Sequence, residues 1–236
     1  MEDKSGAQVH SRILTSTPGE EATFVLFIYH QICRAEFEHL NDEDAPKPII
    51  DRSFPHCWQA EILARPPLIL PPRRFIYPQA AEEVERGALE VLIRLDSSNA
   101  QPFLATCALG FRDPAVPTGL WSTPDPEEIC AVAGGYAYLI HTEAPERFTM
   151  IAYRPVLQIR SVVEQSLLLF VGHHSILAWG REGQAWESGK LSDEGITING
   201  IERGILRGTG WEMMSDCETP FAMDLRNGTL LRAGSS

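Results

Sequence analysis

Basic residues are scarce in this chain. Its 20 lysines and arginines face 32 aspartates and glutamates, for a formal net charge of −12. Proteins that grip phosphate backbones draw their affinity from clustered basic groups that release counterions. Neither a nucleic acid nor an anionic membrane is therefore expected as a partner. The one short basic cluster, Arg65, Arg73 and Arg74, is diluted by prolines and reads as a solvated linker. Cysteine is sparse as well. Cys33, Cys57, Cys107, Cys130 and Cys217 are odd in number and none shows CxxC spacing, which argues against a disulfide framework and a zinc ribbon. Cys107 and Cys130 sit in apolar runs and read as small core hydrophobes. Long apolar runs are missing too. The longest, Ala22–Tyr29, falls far short of the roughly 20 residues a membrane-crossing helix needs. The opening residues MEDKSGAQVH show no basic region followed by an apolar core, and a cytoplasmic protein is expected. Catalytic signatures are also absent: there is no Gly-x-Ser-x-Gly elbow, Walker loop or GxGxxG. The glycine-rich GILRGTG at Gly204–Gly210 lies in an apolar strand pattern with no helix signal after it, so it reads as a bulged strand and not as a phosphate cradle.

What is present suits one large domain, or a domain with an extension, across 236 residues with a 44% hydrophobic fraction. Thr17-Pro18-Gly19-Glu20 fits a capping box. Apolar spacing from Phe24 to Ala35 then predicts a helix over Pro18–Leu40; the aromatic and branched residues of Thr23–Tyr29 also fit a strand. Residues 41–80 are dense in proline, from Pro46 to Pro78, without two prolines three apart. They read as an extended arm that lacks the PxxP ligand pattern. The organisation expected is an N-terminal extension over 1–80, a β-rich domain over 84–231 and a short tail over 232–236.

From Val84 onward, short apolar runs alternate with glycine, proline, asparagine and aspartate turns. Twelve strands are expected, among them Leu89–Leu95, Phe103–Leu109, Tyr136–His141, Leu167–Val171 and Ile196–Ile201. Gly134, Gly172 and Gly210 recur at intervals of 38 residues, each after an apolar run and each close to a ring: Tyr136, the pair His173-His174, and Trp211. Ile129, Leu167 and Ile205 keep the same interval, as do Cys130, Leu168 and Leu206. Such a period implies four units of about 38 residues that bury their faces only by stacking. The unit Leu157–Gly189, with Gly183-Gln184-Ala185-Trp186, resembles blades of the quinoprotein and WD β-propeller classes, though it carries no Gly-His…Trp-Asp pair. The resemblance implies a mainly β, propeller-like array of antiparallel units. A β-sandwich or barrel is the alternative.

If the period holds, Tyr136, His173, His174 and Trp211 share one face and form a binding surface, since rings give large contact area at low entropy cost. A metal at His173-His174 would need further ligands, with His141, Cys130 or Asp216 the nearest in repeat logic. None has a recognised spacing, so neither a metal nor a cofactor is expected. The acidic clusters Glu82-Glu83-Glu85, Glu127-Glu128, Asp193-Glu194 and Asp216 with Glu218 sit beside turn residues and read as solvated charge. The function expected is a non-enzymatic binding module with a protein partner. The alternatives are a hydrolase using a metal or carboxylate pair in a β-domain cleft, and a subunit of a larger complex docked through the helix and the proline-rich arm.

Overall fold

Short apolar segments bracketed by turn residues become seventeen strands in a computed structural model that describes residues 47–65, 67–78, 84, 87–96 and 101–231. The chain divides into two units, Met1–Asp44 and Ala45–Ser236, and every described residue belongs to the second. The helix expected over Pro18–Leu40 and the tail over 232–236 lie outside the described residues, among which there is no α-helix.

The strands form four small sheets. The first holds β2 (Trp58–Leu63), β4 (Ala88–Leu95), β5 (Phe103–Ala108) and β3 (Arg73–Tyr77), in that spatial order, with β3 parallel to β5. The second holds β1 (Ile49–Asp51), β6 (Gly119–Ser122), β7 (Glu128–Ala133), β8 (Tyr136–His141) and β9 (Phe148–Met150), with β1 parallel to β6. The third is the meander β10 (Gln158–Val162), β11 (Leu167–Val171), β12 (Ile176–Gly180) and β13 (Gly183–Glu187). The fourth is β14 (Ile196–Glu202), β15 (Ile205–Glu212), β16 (Cys217–Asp224) and β17 (Thr229–Leu230). All other pairings are antiparallel. The fold is almost all β and built of several small sheets.

Three strands fall in the stretch expected as an extended arm. Proline cannot donate to a ladder, but here the prolines bracket strands and do not interrupt them. β1 lies between Pro48 and Pro55, β2 between Pro55 and Pro66, and β3 between Pro72 and Pro78. β1 approaches β6 so closely that a Cβ on Gly119 would collide with the Ile49 carbonyl, so only glycine fits there.

Three cores separate the sheets in sequence. Val91, Ile93, Phe103 and Cys107 of the first sheet pack with Leu120, Ile129, Tyr138 and Ile140 of the second. Trp121, Cys130, Val132 and Leu139 of the second pack with Ile159, Leu168, Phe170 and Trp179 of the third. Val162, Leu169, Val171 and Trp186 of the third pack with Leu206, Met223 and Leu225 at the fourth. Alternate side chains of one strand thus serve two cores: Leu168 and Phe170 face one way from β11, Leu169 and Val171 the other. Cys107 and Cys130 are core residues, as expected, and burial pushes both thiols up from their ordinary range. Among the described residues no such core joins the fourth sheet to the first.

Ile129, Leu167 and Ile205 fall at or beside the start of β7, β11 and β15, each the second strand of its meander. Gly134 and Gly172 end β7 and β11 as expected. Gly210 instead lies inside β15, which runs on to Glu212. A Cβ on Gly210 would collide with the Leu191 carbonyl of the preceding connection. Glycine is required there by that crossing chain, while the turn itself comes later, at Met213–Asp216.

Candidate functional site

The four ring residues expected at the binding surface begin from different sheets, and two connecting segments relate them. Tyr136 opens β8 half-buried. Its ring meets Phe111 edge-on, with centroids 6.0 Å apart, and the Arg154 guanidinium lies 5.3 Å from its centroid. Arg154 belongs to the connection 151–157, which returns along the same end of the second sheet, where Val156 N–H donates to the Gly135 carbonyl at 2.8 Å. The neighbouring Tyr153 reaches the turn after β11: its hydroxyl lies 2.6 Å from Ser175 Oγ and donates to Glu187 Oε1 at 2.7 Å. Burial pushes the Tyr153 hydroxyl well above its ordinary range, and the Glu187 carboxylate adds to the shift. His173 and His174 occupy this turn exposed, with ring centroids 6.1 Å apart.

The second connection, 188–195, joins the histidine turn to Trp211. Leu191 N–H donates to the His174 carbonyl at 2.7 Å, and Gly195 N–H to the His173 carbonyl at 3.0 Å. His174 Nδ1 lies 3.1 Å from the Ser192 carbonyl. Ser192 is buried, and its hydroxyl accepts from Trp211 N–H at 2.9 Å and Glu194 N–H at 3.1 Å while donating to the Gly195 carbonyl at 2.5 Å. One hydroxyl therefore fixes the loop against the end of β15. Asp193 adds a second clamp. Its backbone N–H donates to the Trp211 carbonyl at 2.7 Å, and its carboxylate accepts from Met213 N–H at 2.7 Å and pairs with Lys190. The Lys190 ammonium, with help from the Met213 N–H, holds the Asp193 carboxyl below the usual carboxylate range. His173, His174 and Trp211 are thereby brought to one side. Tyr136 connects to them through Arg154, Tyr153 and Ser175.

Two shallow cavities open along this row. One, of about 380 Å³, is lined by His174, Ser175, Glu187, Ser188 and Lys190. The other, of about 310 Å³, lies against Trp211, with Glu194, Thr197, Thr209 and Glu218 among its walls. The tip of the β15–β16 hairpin carries Met213 and Met214, 66% and 94% exposed. Sequence reasoning passed over that pair, and also Ser192 and Tyr153. A Met-Met dipeptide between a strand end and a Ser-Asp turn was the available signal for the tip.

The other residues weighed from the sequence lie elsewhere. His141 ends β8 at the opposite end from Tyr136, 3.4 Å from Glu127 and accepting from Ala144 N–H at 3.2 Å. Cys130 is sealed in a core. Asp216 sits in the β15–β16 turn with positive φ. Among the described residues no three His, Cys, Asp or Glu side chains gather as metal ligands do. Three of the four buried tryptophans act as hydrogen-bonded ties between sheets. Trp58 Nε1 donates to the Glu128 carbonyl at 3.2 Å, Trp179 Nε1 to Glu128 Oε1 at 2.8 Å, and Trp186 Nε1 to the Leu225 carbonyl at 2.8 Å. Burial raises the Glu128 carboxyl from its ordinary 4.5 to about 7, against the lowering effect of the bonds from Trp179 and Thr123.

No family model and no curated protein matches the chain. Among solved structures it is similar to the crystal structure of the N-terminal domain of Nup159, at 12% identity over 79% of this chain and 53% of that one, with a TM-score of 0.33. The chain thus spans about half the length of that domain. Among the described residues no helix is long and apolar enough to cross a membrane.

Proposed function

We propose that this chain is a non-enzymatic protein-interaction module, a propeller-like stack of blades that engages a protein partner through the row His173, His174, Trp211, Met213 and Met214, with Tyr136 at its far end. The observation that carries the reading is the hairpin tip. Two methionines stand in solvent beside a tryptophan, on a base that Ser192 and Asp193 hold rigid. Exposed clustered apolar side chains mark contact surfaces, tryptophan is a favoured anchor of binding energy, and methionine adapts its shape to a partner. A rigid base lowers the ordering cost of binding. Support for a hydrolase is weaker, because His141 stands at the far end of β8 from the ring row. A reducing, cytoplasmic setting agrees with free thiols at Cys57, Cys107, Cys130 and Cys217.

The test is a parallel capture experiment with the wild-type chain and a Met213→Ser, Met214→Ser double variant. The expected outcome is a discrete partner retained by the wild type and lost by the variant, whose thermal transition is unchanged. Identical retention by both would contradict the reading.

A further inference from the structure

The fourth sheet turns a polar face away from the third. Ile196, Ile198, Leu206 and Met223 point into the core they share with the third sheet, so Thr197, Thr209, Trp211 and Glu218 occupy the other face. Register puts Thr197 directly across from Thr209, and Trp211 directly across from Glu218. Together with Glu194 and Gly195 from the clamped connection, Ile196 at the start of β14 and Leu157 just before β10, these residues wall the cavity of about 310 Å³. Its chemistry is uneven: two carboxylates, an indole ring, two hydroxyls and the aliphatic residues Leu157 and Ile196, with no lysine or arginine in the lining. Glu194 and Glu218 form no ion pair and no side-chain hydrogen bond among the described residues. The Trp211 indole N–H has no acceptor among them either. Other carboxylates are handled differently: Asp193 in the adjoining connection has Lys190, and Asp224, at the opposite end of the β15–β16 ladder, has Arg226 at 2.5 Å.

We propose that this cavity receives an arginine side chain from the protein partner. A cation within about 6 Å of a tryptophan face is held by the ring quadrupole. Of the two basic side chains, arginine is planar, stacks on indole and forks onto carboxylates. The hydroxyls of Thr197 and Thr209 accept its remaining donors. The volume suits one side chain, not a folded surface, and a chain of net charge −12 draws basic partners toward it. The exposed methionines then supply apolar contact beside a charged anchor, the usual division between core and rim of an interface. The inference rests on the interaction reading above, to which it adds the chemistry of the partner.

The experiment uses the full chain and a blocked Gly-Arg-Gly peptide, with its citrulline twin as a neutral isostere. The readout is the indole N–H resonance of Trp211, identified by its loss in Trp211→Phe. The arginine peptide is expected to shift that resonance saturably at millimolar concentration, at least about tenfold more tightly than the citrulline peptide. Raising the salt weakens the binding. Glu194→Gln with Glu218→Gln lowers the affinity by about tenfold and leaves the melting temperature unchanged. No shift, equal binding of the citrulline twin, or undiminished binding by the double variant would each overturn the pocket. If the methionine variant loses a partner while the peptide leaves Trp211 unmoved, the interaction reading stands and the arginine pocket falls. If the peptide binds while capture is indifferent to the methionines, the reverse holds.

Discussion

β11 and β15 hold the same place in neighbouring sheets and bury their side chains in different ways. Every residue of β11, Leu-Leu-Leu-Phe-Val, is buried, and so are most of β7, β8 and β12, with the accessible positions at strand ends. In β15 and in β4 of the first sheet, buried and accessible residues alternate. The middle sheets have a core on each face, whereas among the described residues the fourth sheet packs into one core and leaves its other face accessible; in the first sheet β4 alternates but β5 is buried on both sides. A strand covered on both sides must be apolar throughout, and one covered on a single side need only alternate. The uncovered face is where polar and functional side chains can be placed without desolvation cost, and the fourth sheet uses it for Trp211, Glu218 and their cavity.

Substitutions sharpen this contrast, the core of the middle sheets giving the largest response. Phe170→Ala removes a side chain wholly buried between the second and third sheets, and should cost about 3–5 kcal/mol in urea unfolding. Arg207→Ala, on the outward face of β15, should stay within about 0.5 kcal/mol. Equal losses at the two sites would erase the distinction between middle and end.

Next in size is a pH effect at the seam between the same two sheets. The folded state raises the Glu128 carboxyl to about 7, so it binds the proton more tightly than the unfolded chain does. The stability this group contributes is then full below about 4.5 and is lost as pH rises through about 7. Glu128→Gln removes that loss, so its advantage over the wild type should be greater at pH 8 than at pH 5 by on the order of 2 kcal/mol. A constant difference between the two pH values would show that the group does not titrate as described.

Trp186→Phe deletes the bond to the buried Leu225 carbonyl and should cost about 1–2 kcal/mol, felt mostly as faster amide exchange in β16 and β17. The smallest effect falls at the tip. Met213→Ser with Met214→Ser should change stability by under about 0.5 kcal/mol while partner capture is lost.

The burial contrast was already legible in the residues. Leu167–Val171 and Ile176–Trp179 read as continuous apolar runs and are buried on both faces, while Ile196–Ile201 alternates and is covered on one. The proline-rich stretch was harder, because proline density argues for an extended chain and says nothing about strands short enough to fit between prolines. β6, only Gly119–Ser122, is too short to show a period. The site was half legible. Equal spacing pointed to Tyr136, the histidine pair and Trp211. The clamps at Tyr153 and Ser192 depend on the path of connections that carry no periodic signal. Gly210 shows the limit most clearly: its spacing matched a turn, yet its glycine answers to the Leu191 carbonyl crossing β15.

Native-state hydrogen exchange resolved by residue tests the stacked arrangement most directly. Amides of β7, β8, β11 and β12 are expected to exchange only through global unfolding, while those of β2, β3, β14 and β17 exchange through smaller openings and at lower cost. Protection in the fourth sheet equal to that in β11 would contradict the account, for it would mean that the outer face carrying Trp211 is as fully covered as the middle of the stack.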